Sequence, residues 1–320
     1  MNLSLVIPVF NEQENLSHLF EAVYSTMNGL NQSWEAVLVD DGSRDRSLAV
    51  LTEYAEKDPQ HIRVISFRRN FGQTAALAAG IDHSVGEIII LLDADLQNDP
   101  ADIPSLLAKL DEGFDLVSGW RKDRKDNALT RNLPSGMANW LISWVTGVHL
   151  HDYGCTLKAY RRGALEGFRL YGEMHRFIPV YASSVGSRIT EIPVRHYPRK
   201  FGKTKYGLER TAKVILDLFT VKFLVSFSSK PIYLFGGTGG LLIIISGIFM
   251  TYLFVRRVFF NIGVVGSPLF QMSAMFFILG FQSMLMGLIA ELLVRTYHES
   301  QRKPTYVIRT TINVEQDTSD

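Results

Sequence analysis

The sequence predicts an α/β domain on a mostly parallel sheet with helices on both faces, followed by interfacial helices and a two-helix membrane hairpin. Two observations carry this. Strand-like and helix-like segments alternate over the first 95 residues, and a repeated β-α-β order builds a parallel sheet through right-handed crossovers. Further on, residues 232–254 and 258–290 hold no charged side chain, and each can supply the roughly 20 apolar residues a membrane-spanning helix needs.

The elements follow in chain order. "LSLVIPVF" (3–10) reads as a buried strand, and "ENLSHLFEAVYSTMNGL" (14–30) carries apolar residues at helical spacing. Next come the strand "WEAVLVDDGS" (34–43), the helix "SLAVLTEYAEK" (47–57), the strand "IRVISF" (62–67) and the helix "QTAALAAGIDHS" (73–84). "EIIILLDAD" (87–95) reads as a strand buried on both faces that ends in two carboxylates. A helix over "ADIPSLLAKL" follows, with Asp99 or Asp102 as its cap. "RKDRKDNALTR" (121–131) is a polar, basic loop, and "SGMANWLISWVTGV" (135–148) resumes helical spacing. "RHYPRKFGKTKYG" (195–207) is a second basic run, without an acid. Lys213, Asp217 and Lys222 interrupt the segment after it, which suits interfacial helices better than a span. The expected division is a first domain at 1–207, interfacial helices at 208–230, two spans within 231–295 (232–254 and 268–292), and a tail at 296–320.

Charge sets the orientation of the hairpin. Lys213, Lys222 and Lys230 precede the first span, and Arg295, Arg302, Lys303 and Arg309 follow the second, against Arg256 and Arg257 between them. The positive-inside rule then places both chain ends in the cytoplasm, in a multi-pass protein of the inner (cytoplasmic) membrane. A net charge of +1 over 320 residues argues against a nucleic-acid partner bound by bulk charge. The single cysteine, Cys155, excludes an internal disulfide. The N-terminus has no positive n-region and breaks at Pro8, so it reads as a first strand and not as a secretory signal.

Ligands of open α/β sheets bind beyond the carboxyl ends of the strands, which is where polar motifs recur here. "VDDGS" puts Asp40 and Asp41 at the end of one strand, where carboxylates can accept from a pyrimidine imide N–H or a ribose hydroxyl; an Asx turn and a helix cap explain the motif otherwise. "DADLQ" is the stronger signal. Residues two apart in an extended segment point the same way, so Asp93 and Asp95 can present oxygens to one hard divalent ion. Mg2+ or Mn2+ held by one or two carboxylates keeps positions open for substrate phosphates.

Six motifs in order, "LVIPVFNEQENL", "VDDGSRDRS", "RNFGQTAALAAGID", "LDADLQNDP", "DYGCTLKAYRR" and "FGKTKY", resemble a family 2 glycosyltransferase with the GT-A fold. With two C-terminal spans, the resemblance is to the polyprenyl-phosphate group, which includes dolichol-phosphate mannose synthase, bacterial glucosyl-undecaprenyl-phosphate synthases and the aminoarabinose transferase of lipid A modification. It covers the chain up to about Tyr306. The resemblance implies that Pro8, Asn11, Glu12, Asp40 and Asp41 line a nucleotide pocket, and that Asp93, Asp95 and Gln97 hold the metal and diphosphate. It gives Asp152 a place facing donor sugar and acceptor, and it makes Arg121, Arg131 and Ser135 ligands of the acceptor phosphate. Lys203 and Lys205 match a loop that closes over the donor diphosphate. By the same resemblance the protein is a homo-oligomer, as the tetrameric bacterial relatives are.

The expected activity is inverting, metal-dependent transfer of one sugar from a nucleotide-sugar to polyprenyl (undecaprenyl) phosphate at the cytoplasmic membrane face. A UDP-sugar such as UDP-glucose is favoured over GDP-mannose. Asp152 and Asp95 are the catalytic candidates: the acceptor is already an anion, so Asp152 has little deprotonation to do and orienting the sugar or acceptor is its competing role, while Asp95 acts through the metal that stabilises the departing diphosphate. A processive polysaccharide synthase would need an Arg-Trp pair that the sequence lacks. A non-catalytic membrane scaffold or lipid-phosphate carrier is the alternative from another class. Gly236 and Gly240 read as small-residue helix packing, His175 as a structural or pocket-lining side chain and not a metal ligand, and "PTYVIRTTINV" (304–314) as a weak strand that pairs with a neighbouring subunit or stays disordered.

Overall fold

A computed structural model describes residues 1–122, 133–165, 170, 174–198, 232–264, 266–300 and 306–314. Arg131, Lys203, Lys205 and the segment 208–230 lie outside these residues, and so does the side chain of Ser135. The chain divides into two compact units, Met1–Val221 with Pro304–Asp320, and Lys222–Lys303.

The first unit is built on an eight-stranded sheet. Its strands are β1 (Leu3–Val9), β2 (Trp34–Asp40), β3 (Ile62–Phe67), β4 (Ile88–Leu91), β5 (Leu116–Trp120), β6 (Lys158–Arg161), β7 (Ile189–Pro193) and β8 (Ile308–Ile312), in the order β7-β5-β6-β4-β1-β2-β3-β8. β1 pairs parallel with both β2 and β4, and β2 pairs parallel with β3. β1 and β2 are almost wholly buried, as continuous aliphatic runs in a sheet covered on both faces must be. Pro8 lies past the last β1–β4 pair, Val6↔Leu91, so its missing N–H takes nothing from that ladder.

The helices are α1 (Gln13–Met27), α2 (Ser47–Lys57), α3 (Gln73–Asp82), α4 (Ile103–Asp111), α5 (Leu133–Thr146) and α6 (Ile178–Ser184). α1 buries Leu16, Leu19, Phe20, Val23 and Met27, the stripe expected of a helix lying on a sheet. α3 is rich in alanine because it lies close: a Cβ on Gly80 would overlap the Val6 side chain. Asp99 accepts from Ala101 N (2.9 Å) in the 3-10 turn before α4, one of the two caps read from the sequence, while Asp102 accepts from Arg195.

Several details differ from the sequence reading or go beyond it. β4 ends at Leu91, so Asp93 and Asp95 follow a strand instead of lying on one. β6 runs antiparallel between β4 and β5, a reversal the first 95 residues do not signal. The segment at 304–314 does not await another subunit, because β8 pairs antiparallel with β3 of the same chain, and Tyr306 stacks on Phe67 at 5.1 Å. Small-residue packing also centres elsewhere than on Gly240, as follows.

The second unit holds two long helices, α7 (Ile232–Phe260) and α8 (Pro268–Ser300). α7 continues through Arg256 and Arg257, which the sequence placed in the turn. Stretches of 26 and 23 residues in them are long and apolar enough to cross a membrane, and side chains such as Ile244, Phe254 and Phe277 are exposed, as a lipid-facing surface requires and a soluble core does not. The two helices meet through Gly239 and Gly280: a Cβ on Gly239 would stand 2.6 Å from the Gly280 carbonyl oxygen, whereas one on Gly240 would meet nothing within 4 Å. Ser246 and Ser273 donate to each other's carbonyls (2.8 and 3.0 Å), which adds polar adhesion.

Candidate active site

The parallel strands β1, β2 and β4 present their carboxyl ends at one edge of the sheet, and three loops meet there. The loop after β1 is stitched to the loop after β2. Asn11 Oδ1 accepts from Arg44 N (2.8 Å), Asn11 N donates to Ser43 Oγ (2.9 Å), and Glu12 N donates to Ser47 Oγ (3.0 Å). Asn11 adopts φ +52°, a left-handed conformation that asparagine tolerates.

Asp40 and Asp41 split their work. Asp40 accepts from Ser43 N (3.1 Å) and Ser66 Oγ (3.0 Å), which ties β2 to β3. Asp41 accepts from Phe71 N (2.6 Å) and Gly72 N (3.0 Å), fastening the turn that opens α3. Burial pushes the Asp41 carboxyl up to about 6, although both backbone donors pull it down. Gly42 between the loops has φ +67°, and a Cβ there would stand 2.5 Å from the Arg69 carbonyl carbon.

Asp93 lies on the turn after β4, with Gln73 Nε2 on one oxygen (2.8 Å) and Thr156 Oγ1 on the other (2.7 Å). Its carboxyl is raised by burial first and by the charge of Asp95 second. Asp95 is buried and its Oδ1 accepts from Gln97 N (3.1 Å). Leu96 between them takes φ +59°, a conformation that costs a branched residue about 1–2 kcal/mol. The bend is held from outside by Tyr197 N, which donates to the Gln97 carbonyl (2.9 Å).

Arg121 and Asp152, expected to contact acceptor and sugar, hold each other. Nε donates to Oδ2 (2.7 Å) and Nη2 to Oδ1 (2.9 Å), and Gly154 N adds a third donor to Oδ1 (3.0 Å). Nη1 takes no part in the pair, and against the cost of burial Asp152 raises the guanidinium further above its ordinary range.

Sequence reasoning assigned no role to Gln73, Thr156 or Lys158, although all three lie inside quoted motifs. Lys158 is fully buried, donates to the carbonyls of Tyr153 (3.3 Å) and Cys155, and so braces the turn between Asp152 and Thr156; burial lowers its pKa. Cys155 beside it is buried with its thiol pushed up to about 11, an unreactive state. His175 sits against Thr74 Oγ1 (2.7 Å), in keeping with a structural role. Gln73 opens α3, and Thr156 and Lys158 lie just before and at the start of β6, so the cue for these residues was a polar side chain beside a motif carboxylate.

A family model described as glycosyl transferase family 2 matches residues 4–169, more than half of the chain. The chain belongs to glycosyl transferase family 2. This family 2 glycosyltransferase is 41% identical over 312 residues to the dodecaprenyl-phosphate galacturonate synthase of Rhizobium johnstonii, covering 97% of this chain and 92% of that one. It is 38% identical over 308 residues to the undecaprenyl-phosphate 4-deoxy-4-formamido-L-arabinose transferase of Klebsiella pneumoniae, covering 96% and 92%. Glucosyl-3-phosphoglycerate synthase from Mycobacterium tuberculosis, solved with Mn2+, UDP and phosphoglyceric acid, superposes with a TM-score of 0.53 at 18% identity over 69% of this chain and 78% of that one. That likeness is one of fold, and it agrees with the GT-A fold expected from the motifs.

The donor set of this glycosyltransferase fits a hard divalent ion. Asp93 and Asp95 are close enough for one charge to raise the pKa of the other, and a cation between them relieves that repulsion. Among the described residues no group of three His, Cys, Asp or Glu stands at metal-ligand spacing.

Proposed function

We propose that this glycosyltransferase moves one sugar from a nucleotide-sugar, with a UDP-sugar favoured, onto polyprenyl phosphate at the cytoplasmic face of the inner membrane, with inversion at the anomeric carbon. The single observation that supports it best is the near full-length similarity, at 41% identity, to an enzyme named for polyprenyl-phosphate sugar synthesis. Two helices long enough to span a bilayer agree with a lipid acceptor.

The chemistry follows from the residues. Asp95, with Asp93 and Gln97, would hold Mg2+ or Mn2+, which when bound supplies positive charge for the departing diphosphate. Pro8, Asn11, Glu12, Asp40 and Asp41 shape the loops assigned to the nucleotide, and Lys203 and Lys205 are proposed to close over the diphosphate. The acceptor is a phosphomonoester of about −1.5 to −2 charge, so it needs cations and no general base. Arg121, with Arg131 and Ser135, supplies that recognition. Asp152 is then an orienting group, because it fixes the Arg121 fork and leaves the remaining Nη1 for the phosphate. Both termini are assigned to the cytoplasm and the assembly to a homo-oligomer.

Purified protein in detergent with undecaprenyl phosphate, Mn2+ or Mg2+, and a panel of UDP-glucose, UDP-galacturonate and GDP-mannose tests this. One lipid-linked sugar, detected by mass spectrometry and lost with EDTA and in Asp95→Ala, is the expected result. Lipid-phosphate binding without transfer from any donor would instead establish a carrier.

A further inference from the structure

Each member of the Arg121–Asp152 pair follows an aromatic ring in the chain, and those two rings stack. Trp120 precedes Arg121, His151 precedes Asp152, and the ring centroids stand 4.4 Å apart with 20° between planes. Glu191 of β7 closes the arrangement. β7 runs parallel to β5 with Glu191 opposite Ser118, so Glu191 and Trp120, two residues further along β5, project from the same face of the sheet. There one carboxylate oxygen accepts from His151 N (2.9 Å) and the other meets His151 Nδ1. The His151 carbonyl accepts in turn from Asn139 Nδ2 (2.7 Å). Ring face, ring nitrogen, N–H and carbonyl of His151 are thus all engaged, although 67% of its side chain is exposed.

β7 is the outermost strand of the sheet, and an acid on an edge strand often serves only to keep other chains from pairing with it. Glu191 does not fit that purpose, because its side chain is only 14% exposed and both oxygens turn onto one residue. What they fix is the direction in which the chain enters Asp152, whose carboxylate takes Nε and Nη2 of Arg121. We propose that Glu191 is a positioning residue for sugar transfer: by clamping His151 against Trp120 it sets the Asp152 carboxylate, and through it the aim of the Arg121 guanidinium at the acceptor phosphate. The purpose of that aim rests on the proposed polyprenyl-phosphate acceptor; the clamp on the fork does not. A displacement of about 1 Å in such a group is enough to cost up to about 100-fold in rate.

Steady-state kinetics of the full chain in detergent, with each substrate varied in turn, test the positioning role. Glu191→Ala is expected to raise KM for undecaprenyl phosphate about tenfold and KM for the nucleotide-sugar by less than about twofold, since only the acceptor side is disturbed. Glu191→Gln keeps an oxygen for His151 N and should recover most of the loss. A fall in kcat with both KM values unchanged is the mark of a merely structural residue and overturns the proposal. Should Glu191→Ala fail to fold, His151→Phe decides: it keeps a ring on Trp120 and the N–H on Glu191 but loses Nδ1, so KM for undecaprenyl phosphate should rise about threefold, and an unchanged value overturns the proposal. A second arm needs no substrate. In protein labelled with 15N-arginine, the Arg121 Nε–H signal, assigned by its loss in Arg121→Lys, should exchange with solvent at least about tenfold faster in Glu191→Ala than in the wild type. Equal exchange overturns the clamp. If the wild type transfers no sugar to undecaprenyl phosphate, the acceptor assignment fails, while the exchange rates still decide whether Glu191 orders the fork.

Discussion

Arg121 and Asp152 share two parallel hydrogen bonds, Nε to Oδ2 at 2.7 Å and Nη2 to Oδ1 at 2.9 Å, with only 12% and 7% of the side chains exposed. Removing one partner of such a pair strands the other charge, at about 3–5 kcal/mol. Arg121→Met and Asp152→Asn should therefore both lower the melting temperature. Arg121→Lys keeps the charge but loses the fork, so it should unfold less readily than Arg121→Met and still transfer poorly. Thermal unfolding beside initial rates separates these effects, and full activity in Arg121→Lys would remove the fork from the mechanism.

Thr156 and Gln73 fix the orientation of the Asp93 carboxylate. Thr156→Val deletes one of these bonds at a stability cost of about 1 kcal/mol. Groups that orient a ligating carboxylate typically contribute about 10- to 100-fold to metal affinity, and a loss of that size is expected. Titration of Mn2+ followed by electron paramagnetic resonance reads it directly.

Asp41 gives a pH signature. Its folded-state value of about 6 lies above the ordinary aspartate value of 3.8, so between those values the folded chain binds a proton that the unfolded chain has released. Stability from this group is greatest at low pH and is lost as pH rises towards about 6. Relative to Asp41→Asn, the wild type should lose melting temperature between about pH 4 and pH 6 and run parallel above about pH 7. The opposite slope would mean that the Phe71 and Gly72 donors outweigh burial.

The hairpin distinguishes two neighbouring glycines. Gly239→Val must push α8 away, since even a Cβ there would lie 2.6 Å from the Gly280 oxygen, whereas Gly240→Val meets open space. Stability of the reconstituted hairpin to denaturing detergent should drop for the first and hold for the second. A Ser246→Ala/Ser273→Ala cycle is expected to give a coupling of only about 0.6 kcal/mol, the usual size of such bonds in membranes.

The first half of the sheet was legible because β1 to β3 and α1 to α3 alternate with clean periodicity, and the bounds of α2 and β3 agree with the sequence to the residue. The spans were legible from length and the absence of charge. β5, β6 and β7 escaped because they are short and their order in the sheet depends on distant partners: Lys158, for example, pairs with Leu91 and Ser118 at once. In the site, carboxylates at strand ends announced themselves by type. What each one holds could not be read, since Asp41 is satisfied by the backbone of residues 71 and 72 and Asp93 by side chains from positions 73 and 156. The Arg121–Asp152 pair spans 31 positions and crosses an irregular stretch, where no periodicity operates.

The return of β8 to β3 orders events in time. Residues 308–312 leave the ribosome only after both long helices have been made, so the sheet acquires its last strand after the hairpin has emerged. Until then the β3 edge is bare, with Phe67 uncovered by Tyr306, and an unpaired strand edge invites aggregation and surveillance by chaperones and proteases. Pairing of β8 therefore protects an edge that the first 300 residues by themselves leave open.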